Sequence, residues 1–120
     1  MIPMDEIKTI TAEIRAFIDE RDWAQFHNPK ELAAAIAIEA AELQEQFLWK
    51  GYEASEEQVN DPAKIEPVAD EIADIAVYLF ELADNLGLDL LAEMRRKMAK
   101  NAEKYPVEKA RGSNLKYTEL

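Results

Sequence analysis

The stretch AIAIEAAELQEQFLWKG, residues 35–51, decides the fold, because its apolar residues recur at the spacing of an α-helix. Ile36, Leu43 and Phe47 mark the apolar stripe, and two acids, Glu39 and Glu42, lie directly beside it. The pattern returns in VADEIADIAVYLFELA, residues 68–83, again with two acids beside an apolar stripe. Two helices that repeat this arrangement are expected to pack against each other along their stripes.

Four helices are predicted from this periodicity and from the positions of Gly, Pro and capping residues. They span residues 5–22, 29–49, 65–86 and 89–105, and the polar segment 52–64 is predicted to be a loop. No strand is predicted, so the fold class is all-α, a four-helix bundle. Residues 1–112 are expected to form a single helical domain, followed by an extended or disordered tail at residues 113–120.

Composition limits the class of protein. The chain has 120 residues, 48% of them hydrophobic, and no cysteine, which favours a cytoplasmic location over a disulfide-forming compartment. No apolar run approaches the roughly 20 residues that cross a membrane, so no membrane partner is expected. The third predicted helix carries apolar residues beyond its main stripe, including Ala69, Ala73, Ala76 and Phe80, which favours assembly into a homo-oligomer.

The net charge of −11 is spread unevenly along the chain. Residues 1–92 carry 21 acids and 6 bases, for a net charge of −15, whereas residues 93–120 carry 4 acids and 8 bases, for a net charge of +4. An acidic body repels a phosphate backbone, so nucleic acid is not an expected partner. The basic end is either a solvated last helix or a site for one small polyanion.

Four acids are expected to meet at the edge of the core if the two stripes pack together: Glu39 and Glu42 from one helix, Glu71 and Asp74 from the other. Converging carboxylates need cations between them, and oxygen-only ligands select Mg²⁺, Mn²⁺ or Ca²⁺. Di-iron ligation requires histidines on the helices, whereas the single histidine, His27, precedes the second helix. A magnesium cluster is favoured, and ion pairs with Lys or Arg remain the alternative.

Residues suited to phosphate and base binding lie elsewhere in the sequence. Lys97, Asn101 and Lys104 share one face of the fourth predicted helix, and Tyr105 and Arg111 lie just beyond them. Two tryptophans, Trp23 and Trp49, follow the first helix and end the second. Their rings could stack on a nucleobase or, equally, close the ends of the bundle.

With these residues the chain resembles the MazG-like nucleotide pyrophosphohydrolases. Glu39-Ala-Ala-Glu42 and Glu71-Ile-Ala-Asp74 look like the paired acid motifs of that family. Four sequence segments are similar to those of its dCTP pyrophosphatase branch: RDWAQFHNPKEL, EAAELQEQFLWK, DEIADIAVYL and KNAEKYPVEKARGS. The resemblance extends from about Glu20 to Ser113 and so covers most of the chain.

The resemblance implies Mg²⁺-dependent hydrolysis of a nucleoside triphosphate, of dCTP type, to the monophosphate and pyrophosphate, with Mn²⁺ as a substitute metal. It implies a helical bundle assembled as a dimer of dimers. It also implies roles for residues at matching positions: metal binding by Glu39, Glu42, Glu71 and Asp74, base and sugar contacts by Trp23, His27, Trp49 and Tyr78, and phosphate contacts by Lys97, Asn101, Lys104, Tyr105 and Arg111.

Two points stay open at the level of sequence. Some relatives place a polar residue near the base where this chain has Ile14, which leaves the base preference open. Within the enzyme class, the alternative is a dUTP or phosphoribosyl-ATP pyrophosphatase. A non-enzymatic helical adaptor or regulator with an acidic face is the alternative of another class. Within the enzyme hypothesis, Glu39 is the predicted general base, because it lies nearest the apolar stripe and is therefore expected to be the most desolvated of the four acids.

Overall fold

The structure, a computed structural model, describes residues 4–120 and contains six α-helices and no strand within that range. This confirms the all-α fold class. The helices are α1 (Met4–Glu20), α2 (Pro29–Glu45), α3 (Tyr52–Asn60), α4 (Ile65–Asn85), α5 (Leu90–Lys104) and α6 (Val107–Ala110). Among the described residues, no helix is both long enough and apolar enough to cross a membrane.

Helix α4 is the element on which the first part of the chain packs. Its most extensive contact is with α2, as the matching stripes predict, and α1 and α3 also pack against it. The buried apolar side chains come from these helices: Ile14, Ile18, Leu32, Val68 and Ala83. The predicted stripe is only partly covered, because Ile72 and Leu79 on α4 are 54% and 41% exposed.

Helix α2 begins where the sequence predicts and ends one turn earlier. The Asn28 side chain accepts a hydrogen bond from the Glu31 backbone N–H at 3.0 Å, and Pro29 occupies the first turn. Beyond Glu45, the backbone N–H groups of residues 46–48 bond three residues back instead of four, so the chain tightens into turns. Trp49 then takes a left-handed backbone conformation with φ of 64°, and the predicted helix end at this residue is wrong.

The predicted loop after α2 contains the nine-residue helix α3, so that prediction is also wrong. Its apolar periodicity is weak because most of its side chains are polar. Tertiary contacts stabilise it instead: Lys50 Nζ donates to the side chain of Gln58 at 2.6 Å, and Gln58 is buried against the rest of the molecule. Periodicity could not identify this helix, because the contact that stabilises it is a hydrogen bond between the loop residue Lys50 and the buried side chain of Gln58.

The chain divides into two compact units, one extending through Gly87 and the other from Leu88 to Leu120. In the second unit, Asp89 caps α5 by accepting from the Ala92 N–H at 3.1 Å. The segment predicted as an extended or disordered tail contains a 3₁₀ turn at Tyr117–Glu119, whose Tyr117 ring meets the Tyr105 ring edge-on at 5.9 Å. The predicted domain boundary at residue 112 stays a prediction.

Candidate active site

Helices α2 and α4 bring three of the four predicted acids together. One carboxylate oxygen from each of Glu39, Glu42 and Glu71 lies within 4.8 Å of the other two. We call these three residues the acid cluster. Asp74, one turn further along α4, is exposed and lines a neighbouring cavity. The predicted convergence is therefore tight for three acids and looser for Asp74, and the metal-binding role of all four stays a prediction.

The carboxylates of the acid cluster repel one another. The neighbouring Glu71 carboxyl group, followed by burial, raises the pKa of Glu39 above its ordinary value. The contact with Glu39 in turn raises the pKa of Glu42. One oxygen of Glu39 and one of Glu71, both Oε2, are buried without a hydrogen-bond partner in the part of the chain that the structure describes. The cluster is thus electrostatically uncompensated.

A divalent cation fits this donor set. The cluster offers only carboxylate oxygens, which are the ligands that Mg²⁺ and Mn²⁺ prefer, and it lacks the imidazole and thiolate ligands of zinc and copper sites. The two orphaned oxygens of Glu39 and Glu71 are buried acceptors that a cation would satisfy. The acid cluster is accordingly suited to a hard divalent metal ion.

The electrostatics of the acid cluster predict a pH-dependent stability for the metal-free protein. Because the pKa values of Glu39 and Glu42 are raised in the folded chain, the folded state binds protons more tightly than the unfolded state. Their contribution to stability is fully present below the ordinary glutamate pKa of 4.5 and is lost as the pH rises through the raised values. Thermal unfolding in a chelator should therefore show a Tm that falls over this range.

The Glu39→Gln variant is the control for this pH dependence. It removes one of the repelling charges, so its Tm should fall less steeply with pH in the same chelator series. Added Mg²⁺ should raise the Tm of the unmodified chain at neutral pH. Identical pH slopes for the two proteins would contradict the assignment of the effect to the acid cluster.

A cavity of about 350 Å³ opens between α1 and α4. Its size suits a small organic ligand. Its lining is mainly apolar and aromatic, with acids among the apolar groups. The lining residues are Glu13, Ile14, Phe17, Ile18, Trp23, His27, Asp74, Val77, Tyr78 and Glu81. We call this space the aromatic cavity.

Three of the four predicted base-contact residues line the aromatic cavity. The ring centroids of Trp23 and His27 are 6.0 Å apart, and those of His27 and Tyr78 are 6.5 Å apart. Burial, followed by the nearby charges of Glu39 and Asp74, raises the pKa of Tyr78, so its hydroxyl stays protonated and can donate. A flat ring entering this cavity would meet aromatic faces and edges.

The loop that carries Trp23 and His27 is anchored to α4 by polar contacts. His27 Nδ1 lies 2.5 Å from Glu81 Oε1, and Asn85 Nδ2 donates to the His27 carbonyl oxygen at 3.3 Å. Next to them, the Arg15 guanidinium binds both carboxylate oxygens of Asp84, at 2.6 and 3.0 Å, and joins α1 to α4. These contacts hold one wall of the aromatic cavity in place.

Sequence reasoning missed Phe17 and Glu81. Phe17 lines the aromatic cavity, is 49% exposed, and meets Trp23 edge-on with a centroid distance of 6.0 Å. Glu81 follows Tyr78 by three residues and Asp74 by seven, which places all three on one face of α4. That spacing was the signal that could have identified Glu81.

The remaining predicted site residues lie outside the aromatic cavity. Trp49 is 94% exposed, at the turn after α2. The phosphate-contact candidates belong to the unit Leu88–Leu120, where they are exposed: Lys97, Asn101, Lys104, Tyr105 and Arg111. There Lys104 Nζ lies 4.9 Å from the centroid of the Tyr117 ring, a cation–π contact. The binding roles of all six residues stay predictions.

Known proteins are similar to this chain in sequence, and one solved structure is also similar in fold. The MazG-like family matches residues 34–120. The chain is similar to dCTP pyrophosphatase 1 of Bos taurus, with 39% identity over 98% of this chain and 68% of the relative, and to dCTP pyrophosphatase 1 of Homo sapiens, with 38% identity over 98% and 67%. A crystal structure of a pyrophosphatase from Archaeoglobus fulgidus matches with a TM-score of 0.80 and 34% identity over 88% of this chain and 97% of that one.

Proposed function

Because this chain belongs to the MazG-like family, we propose that its preferred substrate is a deoxycytidine-type triphosphate, hydrolysed to the monophosphate and pyrophosphate. The chain is a nucleoside triphosphate pyrophosphohydrolase of nucleotide-pool house-cleaning. The observation that carries the proposal is the aromatic cavity, whose lining includes Asp74, one turn along α4 from Glu71 of the acid cluster. A site for a flat ring therefore adjoins a site suited to a divalent cation.

The proposed role of each group of site residues follows from the chemistry of its side chains. Glu39, Glu42 and Glu71, together with Asp74, would hold Mg²⁺, or Mn²⁺ in its place. A metal bound there would supply positive charge to neutralise phosphate oxygens and to stabilise the departing pyrophosphate. Trp23 and Tyr78 bind and orient the base, and Lys97, Asn101 and Lys104 are the proposed phosphate contacts, with Tyr105 and Arg111.

Glu39 is the proposed general base. In the metal-free cluster, Glu71 and burial raise the pKa of Glu39, and an oxygen of this carboxylate that the metal leaves free would be the acceptor of the proton. In this role the Glu39 carboxylate takes the proton of the attacking water and holds it. The same carboxylate lies in the acid cluster, close to where the phosphates would be bound.

A panel of canonical and modified nucleoside triphosphates tests the proposal. With Mg²⁺ present, pyrophosphate release should be fastest with dCTP or a modified deoxycytidine triphosphate, and slower with other deoxynucleotides. Preference for dUTP or phosphoribosyl-ATP would assign the chain to another activity of the same class. Absence of pyrophosphate release from every nucleotide would overturn the proposal in favour of the helical adaptor.

We further propose that the protein assembles as a homo-oligomer, a dimer of dimers. Support comes from apolar side chains that α2 and α4 leave exposed, including Ile38 at 58% and Ile72 at 54%. Burying such residues against another copy of the chain would contribute to assembly through the hydrophobic effect. The expected result in sedimentation at micromolar concentration is a tetramer.

A charge placed on this surface is the matched test of the oligomer. Ile72→Asp should shift the sedimentation coefficient towards a smaller species, whereas Glu53→Gln, at an exposed position of α3, should not. A monomer in the unmodified protein would contradict the oligomer. The cytoplasmic location stays a prediction.

A further inference from the structure

Glu81 places a buried, unsatisfied carboxylate oxygen beside the aromatic cavity. Its side chain is 11% exposed, and Oε1 is 2.5 Å from His27 Nδ1. The other oxygen, Oε2, is buried and has no hydrogen-bond partner among residues 4–120. One oxygen of this carboxylate is therefore occupied by the histidine, and the other remains available.

The pairing with His27 fixes what the free oxygen can do. As a carboxylate, Glu81 can only accept hydrogen bonds, so its contact with His27 requires the tautomer of the imidazole that donates from Nδ1 to Oε1. Leaving a buried acceptor without a partner is costly, and such an atom in a folded protein calls for an explanation. A ligand bound in the aromatic cavity could supply the hydrogen-bond donor that Glu81 Oε2 lacks.

The cavity limits the kind of ligand that can bring this donor. Trp23, Tyr78 and Phe17 present rings to it, which suits a flat aromatic group. Glu13 and Asp74 line it together with Glu81, so its polar lining is rich in negative charge and unfavourable for a phosphate group. The ligand part that enters should be flat, uncharged and equipped with an N–H group.

We propose that Glu81 is a specificity-determining residue whose Oε2 accepts a hydrogen bond from the exocyclic amino group of the substrate base. Among pyrimidines this selects cytosine, which carries a 4-amino donor, over uracil and thymine, which carry a 4-keto acceptor at the same position. Two acceptors facing each other in a buried site repel, so the keto bases are rejected. The inference rests on the proposed function, because it assumes that a nucleotide base occupies the aromatic cavity.

The test compares Glu81→Gln with Glu66→Gln, a matched change at an exposed glutamate of the same helix. The glutamine side chain keeps an oxygen for His27 and offers an amide N–H₂ that can donate to a 4-keto group. The ratio of kcat/KM for dCTP to that for dUTP should exceed tenfold in the unmodified protein and in Glu66→Gln. In Glu81→Gln that ratio should fall at least tenfold, through improved use of dUTP and weaker use of dCTP.

Binding of the monophosphates separates this inference from the proposed function. Calorimetry with dCMP and dUMP in a chelator measures base selection without catalysis, and the ratio of their Kd values should change in the same direction and by at least tenfold. If pyrophosphate release fails for all nucleotides but the dCMP preference depends on Glu81, the proposed function is wrong and the base selection stands. Equal losses for both monophosphates would mean that Glu81 only supports the loop, and an unchanged ratio, or no dCMP binding by the unmodified protein, would also overturn the inference.

Glu81→Asp keeps the test decisive if Glu81→Gln folds poorly, which thermal unfolding would reveal. Aspartate retains the charge but withdraws the carboxylate by one methylene. Affinity for dCMP should therefore weaken at least fivefold while dUMP remains rejected. Binding of dUMP as tight as that of dCMP in this variant would contradict a role for the carboxylate in base selection.

Discussion

Replacing Glu39 by glutamine should lower kcat/KM for the preferred nucleotide by at least about 100-fold and leave the helical content unchanged. The neutral amide is a poor ligand for a divalent cation and cannot take a proton from water. Asp74→Asn should act in the same direction, because its carboxylate belongs to the proposed metal-binding group. Pyrophosphate release at saturating Mg²⁺ measures the loss, and far-ultraviolet circular dichroism checks the fold.

Two exposed acids on α4 provide controls for these variants. Glu66→Gln and Asp70→Asn make the same chemical changes at exposed positions that do not belong to the acid cluster, and they should retain the activity of the unmodified protein. Glu39→Gln should also unfold at a higher temperature without metal, since it relieves the repulsion from Glu71. Near-normal turnover in Glu39→Gln would show that the acid cluster does not hold the catalytic metal.

Trp23→Ala should raise the KM for every nucleotide alike, by about 5-fold to 150-fold, because base–aromatic stacking contributes roughly 1–3 kcal/mol. Stacking uses the face of the base, which all bases share, so the order of preference should remain. Phe26→Ala is the matched control: Phe26 lies in the same loop, is 61% exposed and does not line the aromatic cavity. An unchanged KM in Trp23→Ala for all substrates would contradict the proposal that the base binds in this cavity.

His27→Ala should have a different effect from Trp23→Ala, because His27 pairs with Glu81 near the base edge. Loss of the imidazole frees the Glu81 carboxylate to change position, so the preference for dCTP over other deoxynucleotides should flatten. The comparison of kcat/KM across the nucleotide panel measures this. If KM rose equally for all nucleotides and the preference stayed the same, His27 would only stabilise the loop and would not contribute to base selection.

The sequence determined the features that depend on neighbouring residues of the same helix. The positions of Glu39 and Glu42 on α2, and of Glu71 on α4, follow from 3.6 residues per turn, and the pairing of those helices follows from their stripes. The cap at Asn28 follows equally, because a capping side chain reaches only the backbone N–H groups of the next turn. The groups that form the cap lie within a few residues of each other, and each stripe is set by residues of one helix, so periodicity and residue type suffice to predict them.

Only the tertiary structure decided the features that join distant parts of the chain. His27 and Glu81 are 54 residues apart, and their contact depends on where the loop after α1 meets α4. The same packing turns Phe17 towards the aromatic cavity, and the burial of Gln58 fixes α3 in a segment too polar to show a helical stripe. Residue spacing describes which face of a helix a side chain occupies, whereas the partner that this face meets depends on how the helices pack against one another.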